Sequence, residues 1–149
     1  MEEKKISLPI TREVMEELRA GDWLLLSGRL ITARDQAHQK LIGSLQRGDP
    51  PAVPLQGETV FYSGPSPAPE GRQAGSVGPT TASRMDPYTP ILVDEGVAAF
   101  IGKGPRSPEV CRIMREKGAV YLVAVGGAAA LLGSRVKSIK AIAYTELGP

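Results

Sequence analysis

The hydrophobic pattern of the second half of the chain predicts alternating strands and helices. Residues 97–101 and 120–125 are short apolar runs typical of buried strands. Helices are expected to begin at residues 86–87 and 107–108, because Asp-Pro and Ser-Pro each place a capping side chain before a proline in the first turn. Residues 136–147 alternate between apolar and polar side chains over part of their length and predict a closing strand.

The first half of the chain is richer in predicted strands. Residues 6–10 favour a short edge strand, and residues 23–33, which are dense in Leu and Ile, favour a buried strand or hairpin. The apolar spacing predicts helices over residues 11–19 and 34–46. Strand and helix alternate only in the second half, which indicates an α/β domain with a mixed, partly closed sheet rather than a doubly wound fold.

A stretch rich in proline and glycine separates the two halves. Residues 48–79 contain six Gly and seven Pro, and only residues 59–62 have a strand-like pattern within it. Long segments of this kind in compact domains are usually functional or disordered. We expect an ordered loop.

Composition limits the possible functions. The chain has 149 residues, of which 42% are hydrophobic, and this suits a single domain over residues 1–149. A net charge of +2 with no block of like charge argues against nucleic acid or membrane partners. The longest nearly apolar run, residues 121–133, is shorter than the roughly 20 residues needed to span a bilayer. We expect a soluble, cytoplasmic protein.

The chain has one cysteine, Cys111, and one histidine, His38. A single cysteine cannot form an intrachain disulfide, which fits a reducing compartment. It also cannot hold an iron–sulfur cluster, since such clusters take several thiolate ligands. Cys111 falls within a predicted helix and is expected to be a small buried apolar residue without a role. Any cluster must therefore belong to another chain.

Residues 33–38, with the sequence ARDQAH, form the first of four segments with candidate chemistry. Arg34 lies where a strand is predicted to end, a common position for ligand contacts in α/β folds. Asp35 and His38 can share its helical face because they lie within one turn. Taken alone, the segment is better explained as an exposed arginine beside a local Asp–His pair.

Residues 75–86, with the sequence GSVGPTTASRMD, form the second segment. Its glycines allow close backbone approach, and three hydroxyls lie within five residues of one another together with Arg84. A guanidinium suits a carboxylate because its planar fork donates two parallel hydrogen bonds. A polar turn that caps the following helix explains this segment equally well.

The other two segments are a lysine turn and a run of small residues. Lys103 lies between two glycines at a predicted strand end, where it can reach a cleft or simply form a charged turn. Residues 126–130, GGAAA, can present backbone N–H groups to an anion, but tight packing of a small-residue helix is the better explanation. Together, Arg34, Arg84 and Lys103 would suit a small dianion.

These segments resemble, in order, the motifs of one known family. Residues 33–38, 62–65 (YSGP), 75–86, 102–104 (GKG) and 126–131 (GGAAAL) resemble the β subunit, or C-terminal domain, of class I fumarases. The run GPTT-x-x-RMD is the most specific part, and the resemblance covers essentially the whole chain. The β subunit of L(+)-tartrate dehydratase is a close relative.

The resemblance implies a swivelling β/β/α domain and a partner α subunit in a hetero-oligomer. The partner would carry a [4Fe–4S] cluster, and this chain would bind no cofactor or metal. The reaction would be the reversible hydration of fumarate to (S)-malate. Arg34, Arg84 and Lys103 match positions that contact the substrate carboxylates, and Thr80 matches the proposed proton-abstracting base. Residues expected to support these are Asp35, His38 and Thr81.

Two alternatives stay open. One is a β subunit of L(+)-tartrate dehydratase. The other is a non-catalytic domain that binds organic acids and works without a cluster-bearing partner, since a fold does not fix a function. Family members usually continue beyond residues 146–149, so we also expect the C-terminus to be truncated.

Overall fold

The computed structural model describes residues 2–125, 127 and 129–147, which form two parallel sheets and five α-helices. The first sheet pairs β1 (Glu3–Leu8) with β2 (Trp23–Gly28). The second has the order β3-β4-β5-β6. Its strands are β3 (Ile31–Thr32), β4 (Thr59–Phe61), β5 (Ala99–Gly102) and β6 (Val120–Val123). The helices are α1 (Arg12–Glu17), α2 (Asp35–Gln46), α3 (Thr89–Asp94), α4 (Pro108–Lys117) and α5 (Ala129–Ser134).

The four-stranded sheet has a hydrophobic cluster on each face. Its central strands, β4 and β5, are buried at every residue. Because side chains alternate between the faces of a strand, Val60 and Phe100 pack with apolar residues of α2, α3 and α4. Phe61 and Ile101 face the other way, toward Val77 and residues of β2 and α5. Helices therefore cover one face, while a loop, a strand and a short helix cover the other.

Two helices begin where their capping residues predict. The Thr11 hydroxyl accepts a hydrogen bond from the Val14 backbone N–H at the start of α1. The Ser107 hydroxyl accepts one from Val110 N at 3.2 Å at the start of α4, and Gly118, with φ of 79°, ends that helix. Helix α2 also lies within its predicted range, and residues 48–79 are irregular apart from β4, as expected.

Every strand pair in the described part of the chain is parallel, and the expectation of a mixed sheet is therefore wrong there. The single buried strand or hairpin predicted at residues 23–33 is also wrong. This segment supplies strands to both sheets, and Trp23 and Leu25 are 52% and 50% exposed. The chain passes from the first sheet to the second at Gly28, whose φ of 128° favours glycine. A Cβ at this position would also collide with the Leu8 carbonyl oxygen. The swivelling motion of the domain stays a prediction.

Three further expectations are corrected. The helix expected to begin at residues 86–87 begins at Thr89 instead, as α3, and a 3₁₀ helix (Ala82–Met85) precedes it. Asp86 does not cap α3, because its carboxylate is bonded to a distant segment. Residues 136–147 contain no strand and end in a second 3₁₀ helix (Thr145–Leu147). Cys111 is exposed on α4 rather than buried. Of the helices described, none is long and apolar enough to cross a membrane.

Candidate active site

The carboxyl ends of three neighbouring strands meet at one edge of the four-stranded sheet, because β3, β4 and β5 are parallel. Arg34 lies two residues beyond β3, and Lys103 follows β5 directly. Both side chains are exposed. The fold thus brings two of the predicted cationic residues to the same edge, from segments almost 70 positions apart in the chain.

A short segment carrying the predicted base lies between the ends of β4 and β5. The Thr80 backbone N–H donates to the Tyr62 carbonyl at 2.7 Å, and the Thr80 carbonyl accepts from Lys103 N at 3.2 Å. The Ala82 N–H donates to the Lys103 carbonyl at 2.9 Å, and Thr81 bridges Lys103 in parallel fashion. Main-chain hydrogen bonds therefore hold Thr80 directly beside Lys103.

This insertion depends on a glycine at the end of β5. A Cβ on Gly102 would lie 2.8 Å from the Tyr62 ring and 3.2 Å from the Ala82 Cβ. It would also lie 3.3 Å from the Thr80 carbonyl oxygen. Only a residue without a side chain allows the segment to approach β4 and β5 this closely.

Arg34 precedes α2 and has an extended backbone, with φ of −129° and ψ of −155°. Its guanidinium lies against Gly64, where an added Cβ would overlap the Nε and Cζ atoms. Gly64 belongs to the YSGP segment that follows β4. The loop after β4 is therefore shaped around the Arg34 side chain.

Arg84 forms a bidentate ion pair with Asp35. Its Nε donates to one carboxylate oxygen at 3.0 Å and its terminal nitrogen donates to the other at 2.6 Å. The side chains are 55% and 41% exposed, so water screens the pair. The structure thus joins the first and second candidate segments, and it gives Arg84 a carboxylate partner from within the chain.

His38 lies buried one helical turn beyond Arg34, with 1% of its surface exposed. Its Nδ1 lies 2.9 Å from the Arg34 carbonyl oxygen, which can only accept, so Nδ1 carries the proton. Burial lowers the pKa of His38, despite the opposing effects of this hydrogen bond and of Asp35. The ring also packs edge-on against Tyr62 with centroids 5.4 Å apart. The neutral imidazole therefore holds the Arg34 backbone in place through the hydrogen bond from Nδ1–H to the Arg34 carbonyl oxygen.

Sequence reasoning missed a second Arg–Asp pair beneath this edge. The Arg106 Nε donates to Asp86 Oδ1 at 2.7 Å, and the Arg106 side chain is only 1% exposed. The other Asp86 oxygen accepts from Ser107 N at 2.9 Å. The sequence signal is weak: Asp86, at the end of the RMD run, is expected to cap a helix, and Arg106, three residues beyond Lys103, is given no role.

The small-residue segment packs against the GPTT run. Ala129, the first residue of α5, accepts a hydrogen bond from Val77 N at 2.9 Å. A Cβ on Gly78 would lie 2.9 Å from the Ala129 Cβ. These contacts agree with the packing explanation of the segment. Two of its members, Gly126 and Ala128, lie outside the described residues.

The residues of this chain do not suit an iron–sulfur cluster. The sequence has a single cysteine, and it lies exposed on α4. Within the described ranges, no three His, Cys, Asp or Glu side chains come together as a possible metal site. What the edge offers is cationic and hydroxyl groups, which suit a small anion.

Comparison with known proteins gives consistent matches. The family model described as "Fumarase C-terminus" matches residues 1–149. Fumarate hydratase 2 of Leishmania major is 36% identical over 139 residues, which is 92% of this chain and 24% of that protein. The aerobic class I fumarate hydratase of Salmonella typhimurium is 39% identical over 127 residues, 84% of this chain and 23% of that protein. The L(+)-tartrate dehydratase subunit β of Escherichia coli is 33% identical over 148 residues, 97% of this chain and 72% of that protein. The chain spans about a quarter of the length of the fumarate hydratases that it matches.

Proposed function

The chain belongs to the fumarase C-terminus family, whose matched relatives are hydro-lyases, and on that premise we propose that it is the β subunit of an enzyme that hydrates fumarate to (S)-malate. The partner α subunit would hold the [4Fe–4S] cluster, since the residues of this chain do not suit one. The name of the tartrate dehydratase relative, subunit β, supports this two-subunit organisation. We further propose a cytoplasmic hetero-oligomer.

The main observation behind this proposal is the grouping at the carboxyl edge. Arg34, Lys103 and Thr80 lie on segments that hydrogen bonds hold together. Arg84 is paired with Asp35, the first residue of α2, which directly follows Arg34. Fumarate carries two carboxylates, and two or three cations at one edge can neutralise both. Arg84 can leave Asp35 for a substrate carboxylate at low cost, because exposed ion pairs contribute little to stability.

The proposed chemistry follows from where charge develops. Removing a proton from the carbon beside a carboxylate builds negative charge on that carboxylate. Cations fixed before the reaction stabilise this charge more than they stabilise the ground state, and so they accelerate the step. In the dehydration direction Thr80, having first given up its own hydroxyl proton, would take the proton from carbon, and the hydroxyl group on the adjacent carbon would leave with Lewis-acid assistance that the partner's cluster would supply. A neutral hydroxyl is a poor base, so neighbouring groups would have to activate Thr80. Its backbone is held on both sides, so its hydroxyl can be presented in a defined place.

A tartrate dehydratase is the second candidate. The fumarate hydratases are 36–39% identical to this chain, and the E. coli tartrate dehydratase subunit β is 33% identical. The higher identity to the fumarate hydratases favours fumarate as the substrate. The name of the tartrate enzyme, a separate subunit β, favours tartrate only in its two-subunit organisation, which the fumarase proposal shares. Both reactions would use the same cationic edge.

Reconstitution with a cluster-bearing α subunit tests the proposal. We expect the complex to hydrate fumarate well and to dehydrate tartrate poorly, and the opposite preference would move the chain to the tartrate branch. In this complex, Thr80→Ala should reduce kcat by orders of magnitude while substrate binding persists, and Thr80→Ser should be milder. Thr81→Ala is the matched control and should be mild, because the Thr81 side chain makes no capping hydrogen bond at the 3₁₀ helix that follows it. Binding of fumarate without turnover of either acid would instead support a non-catalytic organic-acid-binding domain.

A further inference from the structure

We propose that Arg106, which is buried beneath the carboxyl edge, is a positioning residue for the residues that bind substrate. It would act through Asp86 and Tyr62 and would not touch substrate itself. This inference rests on the proposed function for its kinetic test, although the contacts that support it do not depend on that function.

All three nitrogens of the Arg106 guanidinium donate hydrogen bonds. Besides Asp86, they bond to the Tyr62 hydroxyl at 2.9 Å and to the Thr89 hydroxyl at 2.6 Å. The guanidinium carbon lies 5.1 Å from the centre of the Tyr62 ring and 5.0 Å from that of Tyr121. A group with 1% exposure and this many partners has no face left for a ligand.

These contacts connect the three segments that carry the site. Asp86 ends the turn that presents Arg84 two residues earlier. Tyr62 accepts the backbone hydrogen bond of Thr80 through its carbonyl. Arg106 itself lies three residues beyond Lys103, on the loop after β5. One guanidinium thus fixes the loop after β4, the turn before α3 and the loop after β5 relative to one another.

The planar fork of arginine is needed for this arrangement. A lysine would keep the positive charge but could not reach Asp86, Tyr62 and Thr89 together from one ammonium group with the same directions. Arg106→Lys therefore retains charge and loses geometry. Small displacements of binding residues by remote changes can cost about 10²-fold in rate, so this loss should be measurable.

The kinetic test uses the reconstituted α–β complex. We expect Arg106→Lys to raise KM for the dicarboxylate about tenfold, the effect of losing one charge-assisted contact. In an Arg84→Gln background the same change should raise KM by less than about threefold, because the two residues act on one contact. A purely structural role predicts a lower yield of active complex with unchanged KM, and equal effects in both backgrounds. Either result would overturn the proposal.

Two further variants keep the test decisive if Arg106→Lys does not fold. Tyr62→Phe removes only the hydroxyl partner and preserves the ring, so a smaller KM increase in the same direction is expected. Arg112→Lys is the matched control, because Arg112 pairs with Glu116 on the exposed side of α4. It should leave KM unchanged. A KM for Tyr62→Phe equal to that of this control would contradict the proposal.

A measurement on the full 149-residue chain separates the failure of this inference from failure of the proposed function. The Arg84 Nε–H, which is bonded to Asp35 at 3.0 Å, can be followed as a ¹⁵N side-chain resonance. Arg106→Lys should move this resonance toward the position of a solvated arginine, and Arg112→Lys should not. If the wild-type complex turns over neither acid, the proposed function fails while this readout still tests Arg106. An unchanged Arg84 resonance in Arg106→Lys would overturn the positioning role.

Discussion

The interior beneath the carboxyl edge and the surface of that edge each contain an Arg–Asp pair, and the two pairs differ mainly in solvent access. In the interior pair, Arg106 and Asp86 are 1% and 14% exposed. In the surface pair, Arg84 and Asp35 are 55% and 41% exposed, although their geometry is bidentate. Breaking a buried pair leaves an uncompensated charge, whereas water can replace either partner of an exposed one. The same chemistry thus serves as a fixed support inside and as an exchangeable contact outside.

Breaking the interior pair gives the largest expected effect. We expect Asp86→Ala to lower the free energy of unfolding by about 3–5 kcal/mol, because it strands the buried Arg106 guanidinium. Asp35→Ala is the matched change at the surface and should cost less than about 1 kcal/mol. Denaturant unfolding of both variants measures the difference. Equal losses would remove the distinction between the two pairs.

The buried imidazole provides an intermediate effect. Since burial holds the pKa of His38 below 6.5, the unfolded chain binds a proton near that pH which the folded chain does not. Stability should therefore fall as the pH drops below 6.5, by up to about 1.4 kcal/mol per pH unit for one proton.

The corresponding measurement compares the free energy of unfolding of wild type and His38→Asn between about pH 8 and about pH 5, a range that brackets the ordinary histidine pKa. The variant is expected to be less stable throughout, but to lose the part of the slope that His38 supplies. Parallel curves would mean that His38 takes up its proton equally in the folded and the unfolded chain, and would contradict the effect of burial on its pKa.

The smallest expected effect concerns the surface pair as a competitor for substrate. Asp35→Asn removes the charge that holds Arg84, so KM for the dicarboxylate should fall by up to about fivefold, the equivalent of an exposed ion pair. Arg84→Gln should raise KM instead. Steady-state kinetics of the reconstituted complex measures KM for both variants. A higher KM in Asp35→Asn would mean that Asp35 orients Arg84 and does not compete for it.

Local signals in the sequence predicted the elements that depend on neighbouring residues. The Ser107 cap and the Gly118 stop of α4 are such cases, because each acts within a few positions. The helix predicted to begin at residues 86–87 begins at Thr89 instead, for the opposite reason. The Asp86 carboxylate is taken by Arg106 and Ser107, some twenty residues away, and no local pattern reveals that competition.

The candidate site divides in the same way. The family motifs identified Arg34, Thr80, Arg84 and Lys103, and their roles in catalysis stay predictions. What the sequence could not supply was the pairing between segments. The Arg84–Asp35 contact spans 49 positions, and the Thr80–Lys103 contact depends on how β4 and β5 separate at their ends. Such contacts follow from the parallel sheet as a whole.

The insertion of residues 80–82 between the strand ends has a consequence for redesign. This segment is held through backbone amides and carbonyls, and the main chain is the same for every residue type except proline and, in part, glycine. The side chain at Thr80 can therefore be exchanged without removing the bonds that locate it. A thiol or a carboxylate could therefore be introduced beside Lys103 by substituting Thr80, because the backbone at that position is already fixed by its hydrogen bonds.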